Sequence, residues 1–312
     1  MENTLVTVIV CTHNPNIINF SRVLESLKAQ TLGKIYWELI VVDNNSKFII
    51  SNEFDIGWHP FGAHIREDKP GLISAMVSGF KKSKSHLLIY VHDDTVLDSD
   101  YLEMALQIAE QYPILGTWGG NCIPEFEQEP SLDLKPFIGY LACRVLSSDS
   151  WSNFQDWCIS HPFGAGMCVR RQVMEKFTFE SQSNANLTGI GRSGNSLSSH
   201  EDYLVNRISC RLGLGCGTFQ RLNLKHIIPA FRVSKNYIER LLIAMAYSTV
   251  MLNYYEGKLM NDPIPNVLIR WVKWMKLCLR SSTSMHRKMD WVQIVSTSNA
   301  VREIKNQSIK YR

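Results

Sequence analysis

Hydrophobic and polar positions alternate in blocks along the first hundred residues, and the blocks switch between two periods. LVTVIV (5–10) is a short β-branched run read as a strand, and WELIVV (37–42) is a second. Residues 63–66 form a third, and HLLIYV (86–91) a fourth. Between them, 16–30 carries apolar side chains at 17, 20, 23, 24 and 27, and 72–82 carries them at 72, 75, 76 and 80. Both are helical spacings. Pro70-Gly71 turns the chain into the second of these helices. Strands alternating with helices predict parallel βαβ units and a doubly wound sheet. The later chain is less regular. A helix is expected near 171–177, another over 203–212, and a largely apolar one over 237–255. Segment 113–160, with Pro, Gly and Trp118, Trp151 and Trp157, gives no clear period, and 181–199 reads as a Ser/Asn/Gly-rich loop.

In sheets of this kind, ligands bind beyond the carboxyl ends of the strands. Three of the four predicted strands end in polar clusters: Thr12/Asn14, Asp43/Asn44 and His92/Asp93/Asp94. They are expected to converge on one crevice. Thr and Asx side chains supply hydrogen bonds suited to a base or a ribose. Two adjacent carboxylates repel each other near a low-dielectric floor. A hard divalent cation removes that cost and bridges phosphate oxygens. The bland alternative is that Asp93 and Asp94 only favour the next turn. The phosphate-loop pattern and G-x-G-x-x-G are both absent. Further on, Ser198-Ser199-His200-Glu201-Asp202 reads as a helix start, with a carboxylate available as a general base.

Composition adds location more than chemistry. Apolar residues make up 45% and charged ones 20% of the 312 residues, as in ordinary globular proteins. The net charge of +4 is unevenly spread, because residues 264–312 hold ten Lys/Arg against two acids. Within that tail, 267–280 (VLIRWVKWMKLCLR) spaces Arg270, Lys273 and Lys276 by three among Trp and Leu. That composition fits an interfacial helix on an anionic membrane surface; an ordinary packed helix with a solvated basic stripe is the competing reading. No recognised nucleic-acid motif accompanies the basic residues, so a nucleic-acid partner is not expected. No run of about 18 apolar residues predicts a spanning helix, and the acidic, weakly apolar start does not resemble a signal peptide. None of the eight cysteines lies in a Cys-x-x-Cys pair, so the spacing suggests neither a zinc site nor a disulfide framework.

Six stretches in order, VTVIVCTHNP, WELIVVDNNS, KPGLISAM, LLIYVHDDTVLDSDYL, FGAGMCVRR and SSHEDYLVNRI, resemble the inverting nucleotide-sugar glycosyltransferases of family 2. The resemblance covers roughly residues 4–235. It implies an α/β GT-A fold, a Rossmann-like and mostly parallel central sheet with flanking helices. Residues 1–112 would form the nucleotide-binding half, 113–235 the acceptor-binding half, and 236–312 a basic helical appendage that associates with membrane. By the same resemblance, Thr12, Asn14 and Asp43 would surround the nucleobase, usually uracil, with Lys69, Gly71 and Asp93 completing the nucleotide site. Asp94 would bind Mn²⁺ or Mg²⁺ on the diphosphate, with His92 and His226 as further ligands. Asp202, beside Glu201, would be the base that activates an acceptor hydroxyl for direct displacement. Two positions depart from the family. His92 stands where an Asp is commoner, and Met76-Val77 where Arg-Asn is commoner, leaving Arg66 or Lys69 to compensate. The expected partners are a nucleotide-sugar donor and a glycan or lipid-linked glycan acceptor in surface polysaccharide synthesis. The expected location is the cytoplasm, at the inner face of the cell membrane. A non-catalytic nucleotide-sugar-binding module and, more remotely, a metal-dependent nucleotidyltransferase are the alternatives.

Overall fold

The computed structural model describes residues 4–184, 187, 190–194, 196–258, 291–292 and 295–302. The basic segment 267–280 lies outside the described residues. The first half follows the hydrophobic pattern closely. β1 (Val6–Thr12), α1 (Ile17–Lys28), β2 (Trp37–Asp43), a short α2 (Ile50–Glu53), β3 (Gly62–Arg66), α3 (Leu72–Lys82) and β4 (Leu87–His92) follow one another. All seven residues of β1 are buried, as expected of a strand covered on both faces. α1 starts where the Asn16 side chain accepts the Asn19 amide hydrogen at 3.1 Å. It buries Phe20, Val23, Leu24 and Leu27, a single stripe at helical spacing.

Then come β5 (Thr95–Leu97), α4 (Tyr101–Gln111), β6 (Leu115–Phe126), β7 (Ser150–Ser152), β8 (Met167–Arg170), α5 (Arg171–Ser183), α6 (Glu201–Arg211), β9 (Gly215–Ile228) and α7 (Lys235–Tyr255). The nine strands form one sheet in the order β3-β2-β1-β4-β8-β6-β9-β5, with β7 paired to β9. β1, β2, β3 and β4 are mutually parallel, and β6 runs parallel to β9. β8 is antiparallel to β4 and β6, and β5 and β7 are antiparallel to β9. The long strand β6 falls in the segment without a clear period, and β9 in a stretch where no element is predicted. The register between them shifts at 115/117 and 120/121.

α3 approaches β1 closely because Gly79 has no side chain. A methyl there would lie 2.4 Å from Ile9 Cγ2. The corner after β5 is held by the buried Gln30. Its amide nitrogen donates to Asp98 O at 2.8 Å, and its amide oxygen accepts Leu102 N at 3.1 Å.

By compactness the chain divides into two units. One comprises residues 1–127, 142–188 and 201–228 and contains the whole sheet. The other comprises 128–141, 189–200 and 229–312 and contains α7. In the second unit, Ser234 caps α7 by accepting Tyr237 N at 3.3 Å, and Lys235 pairs with Asp133 at 2.9 Å. Among the described residues no helix is long and apolar enough to cross a membrane.

Candidate active site

The strand ends meet as the alternation predicts. In the parallel register Thr12 lies beside Asp43, Cys11 beside His92, and Asp43 beside Arg66. Neighbouring strands are about 4.8 Å apart, so these residues share one edge of the sheet. Thr12 Oγ1 donates to Asp93 Oδ2 at 2.6 Å, tying the end of β1 to the turn after β4. Asp43 is buried and accepts from Ser46 N at 2.9 Å and Arg66 Nη1 at 2.7 Å.

Asn44 straps the loop before α3 to this edge. Its Oδ1 accepts Gly71 N at 2.8 Å, and its Nδ2 donates to Lys69 O at 2.8 Å. Gly71 has φ +124°, a backbone conformation open to glycine and strained for other residues. Lys69 is exposed at the same loop. Asn14 ties the loop after β1 to the loop after β2: its Oδ1 accepts Lys47 N at 2.8 Å, and its N donates to Ser46 Oγ at 2.9 Å. Met76 and Val77, at the positions that depart from the family, are buried on α3. Arg66 instead reaches the edge, by its bond to Asp43.

A second group forms where β5 crosses β9. Thr95 pairs with His226, and Ile227 N donates to Asp94 O at 2.9 Å. This register brings His226 Nε2 to 3.4 Å from Asp94 Oδ2, with both side chains largely buried. The other ring nitrogen of His226 is buried and makes no hydrogen bond. Carboxylate oxygen and imidazole nitrogen are donors that divalent Mn and its neighbours accept. Two donors at adjacent positions of an octahedral ion at about 2.1 Å are about 3.0 Å apart. The Asp94–His226 pair is close to that spacing, so these residues fit a divalent cation.

The third group centres on the first turn of α6. Asp202 is partly buried; its Oδ2 accepts Gly164 N at 3.0 Å and its Oδ1 accepts Tyr203 N at 2.7 Å. Burial raises the Asp202 pKa above the ordinary carboxylate value. The two backbone N–H groups and the positive charge of Arg144 pull the other way. Glu201 is buried beside it. A methyl on Gly164 would lie 3.5 Å from both Asp202 Cβ and His92 Cε1. Asp202 and the imidazole at the end of β4 therefore flank the same glycine.

Sequence reasoning passed over Arg144 and Gly164. Arg144 donates to Ile159 O and His161 O at 2.9 Å each, and its guanidinium lies 4.2 Å from the Phe163 ring centre. Burial lowers its pKa. Nothing in LACRVLSSD distinguishes this Arg from a surface one. Gly164 sits in the FGAGMCVRR stretch, where its contact with Asp202 spans 38 residues.

This sheet, with a curled and mostly parallel core and flanking helices, is the GT-A fold. Residues 7–143 match the profile of Glycosyl transferase family 2. A glucosyl-dolichyl phosphate glucuronosyltransferase of Haloferax volcanii is 25% identical over 146 residues, covering 44% of this chain and 45% of that protein. The match thus spans under half of the relative's length. Among solved structures, a mannosyltransferase of Pyrobaculum calidifontis in complex with GDP-Man and Mn²⁺ superposes with a TM-score of 0.54. It is 14% identical, over 96% of this chain and 75% of that one. TarS residues 1–349 of S. aureus, in complex with UDP-GlcNAc, superposes with a TM-score of 0.52. It is 11% identical, over 97% and 92% of the two chains. The chain thus resembles the family 2 glycosyltransferases, and the proteins it resembles are enzymes of sugar transfer.

Proposed function

We propose that this chain is an inverting glycosyltransferase that moves a sugar from a nucleotide-sugar to a hydroxyl of a glycan or lipid-linked glycan. The observation that carries the reading is the grouping at one edge of the sheet. Asp94 faces His226 there, and the Asp202 carboxylate is held against Gly164 on the side of His92. Asp94 and His226 are the residues that would hold a divalent cation, Mn²⁺ or Mg²⁺, which when bound offsets negative charge on a diphosphate leaving group.

The chain's own residues supply the rest. Thr12, Asp43, Asp93 and the Asn44-strapped loop with Lys69 and Gly71 form the nucleotide side. Asp202 takes the proton of the acceptor hydroxyl. Its two backbone hydrogen bonds fix the carboxylate's direction while leaving it further acceptor capacity. One displacement inverts the anomeric carbon. A UDP-sugar is the favoured donor, on the resemblance of the first strand ends to uracil-binding relatives. The Haloferax relative acts on glucosyl-dolichyl phosphate, a lipid-linked sugar, which supports a lipid-linked acceptor. Residues 264–312, with ten basic and two acidic side chains, support attachment to an anionic leaflet on the cytoplasmic side.

The test is a panel of UDP-, GDP- and dTDP-sugars with Mn²⁺ or Mg²⁺, scored for donor hydrolysis and for transfer to lipid-extract acceptors. Metal-dependent turnover of one donor, lost in Asp202→Asn, is expected. Donor binding with no hydrolysis or transfer under any condition would instead indicate a binding module.

A further inference from the structure

The fold assembles a second set of metal-binding side chains that sugar transfer does not use. Cys210 is the penultimate residue of α6 and Cys216 the second residue of β9. The reversal between them is rigid: Gly213, at φ +78°, donates to Cys210 O at 3.1 Å, and Leu214 N donates to Ser209 O at 3.1 Å. The two sulfurs lie 3.7 Å apart. His161, fully buried in the loop before β8, brings a ring nitrogen to within 4.8 Å of both sulfurs. Its Nε2 is bonded to Phe154 O at 2.8 Å, while Nδ1 is buried and makes no hydrogen bond.

Spacing and chemistry favour a soft cation over a disulfide. Two sulfurs at 2.3 Å from a tetrahedral zinc ion are about 3.8 Å apart, and sulfur and imidazole nitrogen about 3.6 Å. The sulfurs already have that separation. The imidazole needs a closure of about 1.2 Å at most to reach its own. Thiolate and imidazole together select zinc over the hard ions that suit Asp94. A ligating histidine whose other nitrogen is bonded to a backbone carbonyl is the usual supporting arrangement.

We infer that Cys210, Cys216 and His161 form a structural zinc site that ties the end of α6 and the start of β9 to the loop carrying His161. On binding, both thiols release a proton and the ion is neutralised by two thiolates. The product is an uncharged cluster, which suits its burial.

The test uses the full chain, purified in reductant without added metal. Plasma mass spectrometry should find about one zinc per chain, and less than about a tenth of that in Cys210→Ser/Cys216→Ser. Asp94→Asn/His226→Ala should keep its zinc, which separates this site from the one at the sheet edge. Should the serine variant fail to fold, Co²⁺ titration of the zinc-stripped wild type gives the answer. Sulfur-to-cobalt charge-transfer absorption saturating at about one equivalent supports the site. Zinc-free protein that shows no such band overturns it, as does a Cys210–Cys216 disulfide found in protein isolated without reductant.

Discussion

Replacing Asp202 with Asn separates its chemical task from its structural one. Each carboxylate oxygen accepts a backbone N–H, Gly164 N at 3.0 Å and Tyr203 N at 2.7 Å. An amide keeps one oxygen and turns an NH₂ group on the other donor. One buried N–H then loses its acceptor, at a cost of about 1–3 kcal/mol. A domain with a margin of about 5 kcal/mol or more stays above about nine-tenths folded at 25 °C. The melting temperature should fall by about 2–10 °C. Turnover should fall much further, by about 10²–10⁴, because the amide cannot accept the acceptor proton.

The assay is steady-state transfer at 25 °C with donor binding measured in parallel, and donor affinity should stay within a few-fold of wild type. The pH profile adds a signature. Burial raises the Asp202 pKa, and the base works only when deprotonated. The wild-type rate should therefore fall on acidification through a pKa above about 3.9, the ordinary Asp value. Turnover by Asp202→Asn within tenfold of wild type, at full donor affinity, would refute the assignment of the base.

Three further outcomes follow from the same geometry. Arg144→Met removes a positive charge that favours the Asp202 carboxylate, so the acid limb of the rate profile should move to higher pH, and Arg144→Lys should move it less; an unmoved limb contradicts the coupling. His226→Ala should weaken Mn²⁺ activation by about tenfold or more while leaving the melting temperature of metal-free protein within a few degrees; unchanged metal dependence would remove His226 from the site. Gly79→Ala should destabilise the protein by about 1–3 kcal/mol in urea denaturation, because its methyl would meet Ile9 Cγ2 at 2.4 Å. The helix-propensity gain of about 1 kcal/mol offsets only part of this, and a more stable variant would show that α3 can move.

The β1-to-β4 half was legible because β1, β2 and β4 are largely buried on both faces and α1 carries a single apolar stripe. Those patterns also mark where the strands end, so Thr12, Asp43 and His92 could be assigned to one edge before any pairing was known. β6 and β9 were not legible, for physical reasons. LGTWGGNCIPEF holds three glycines and a proline, residues that argue against a central strand. Bulges in both strands break the period-two pattern. His226 was named only through the family resemblance, and its partner became visible only when β5 was seen to cross β9. Arg144 and Gly164 carry no local signal. The His161, Cys210 and Cys216 grouping crosses a gap of about 50 residues that no spacing rule for metal ligands covers.

The most direct measurement of the central claim is a crystal of the chain soaked with UDP and Mn²⁺, examined by anomalous scattering at the manganese edge. A manganese peak is expected within about 2.6 Å of Asp94 oxygen and His226 nitrogen, touching the diphosphate, with Asp202 opening onto the same cleft. A peak elsewhere, or Asp94 turned away from the phosphates, would contradict it.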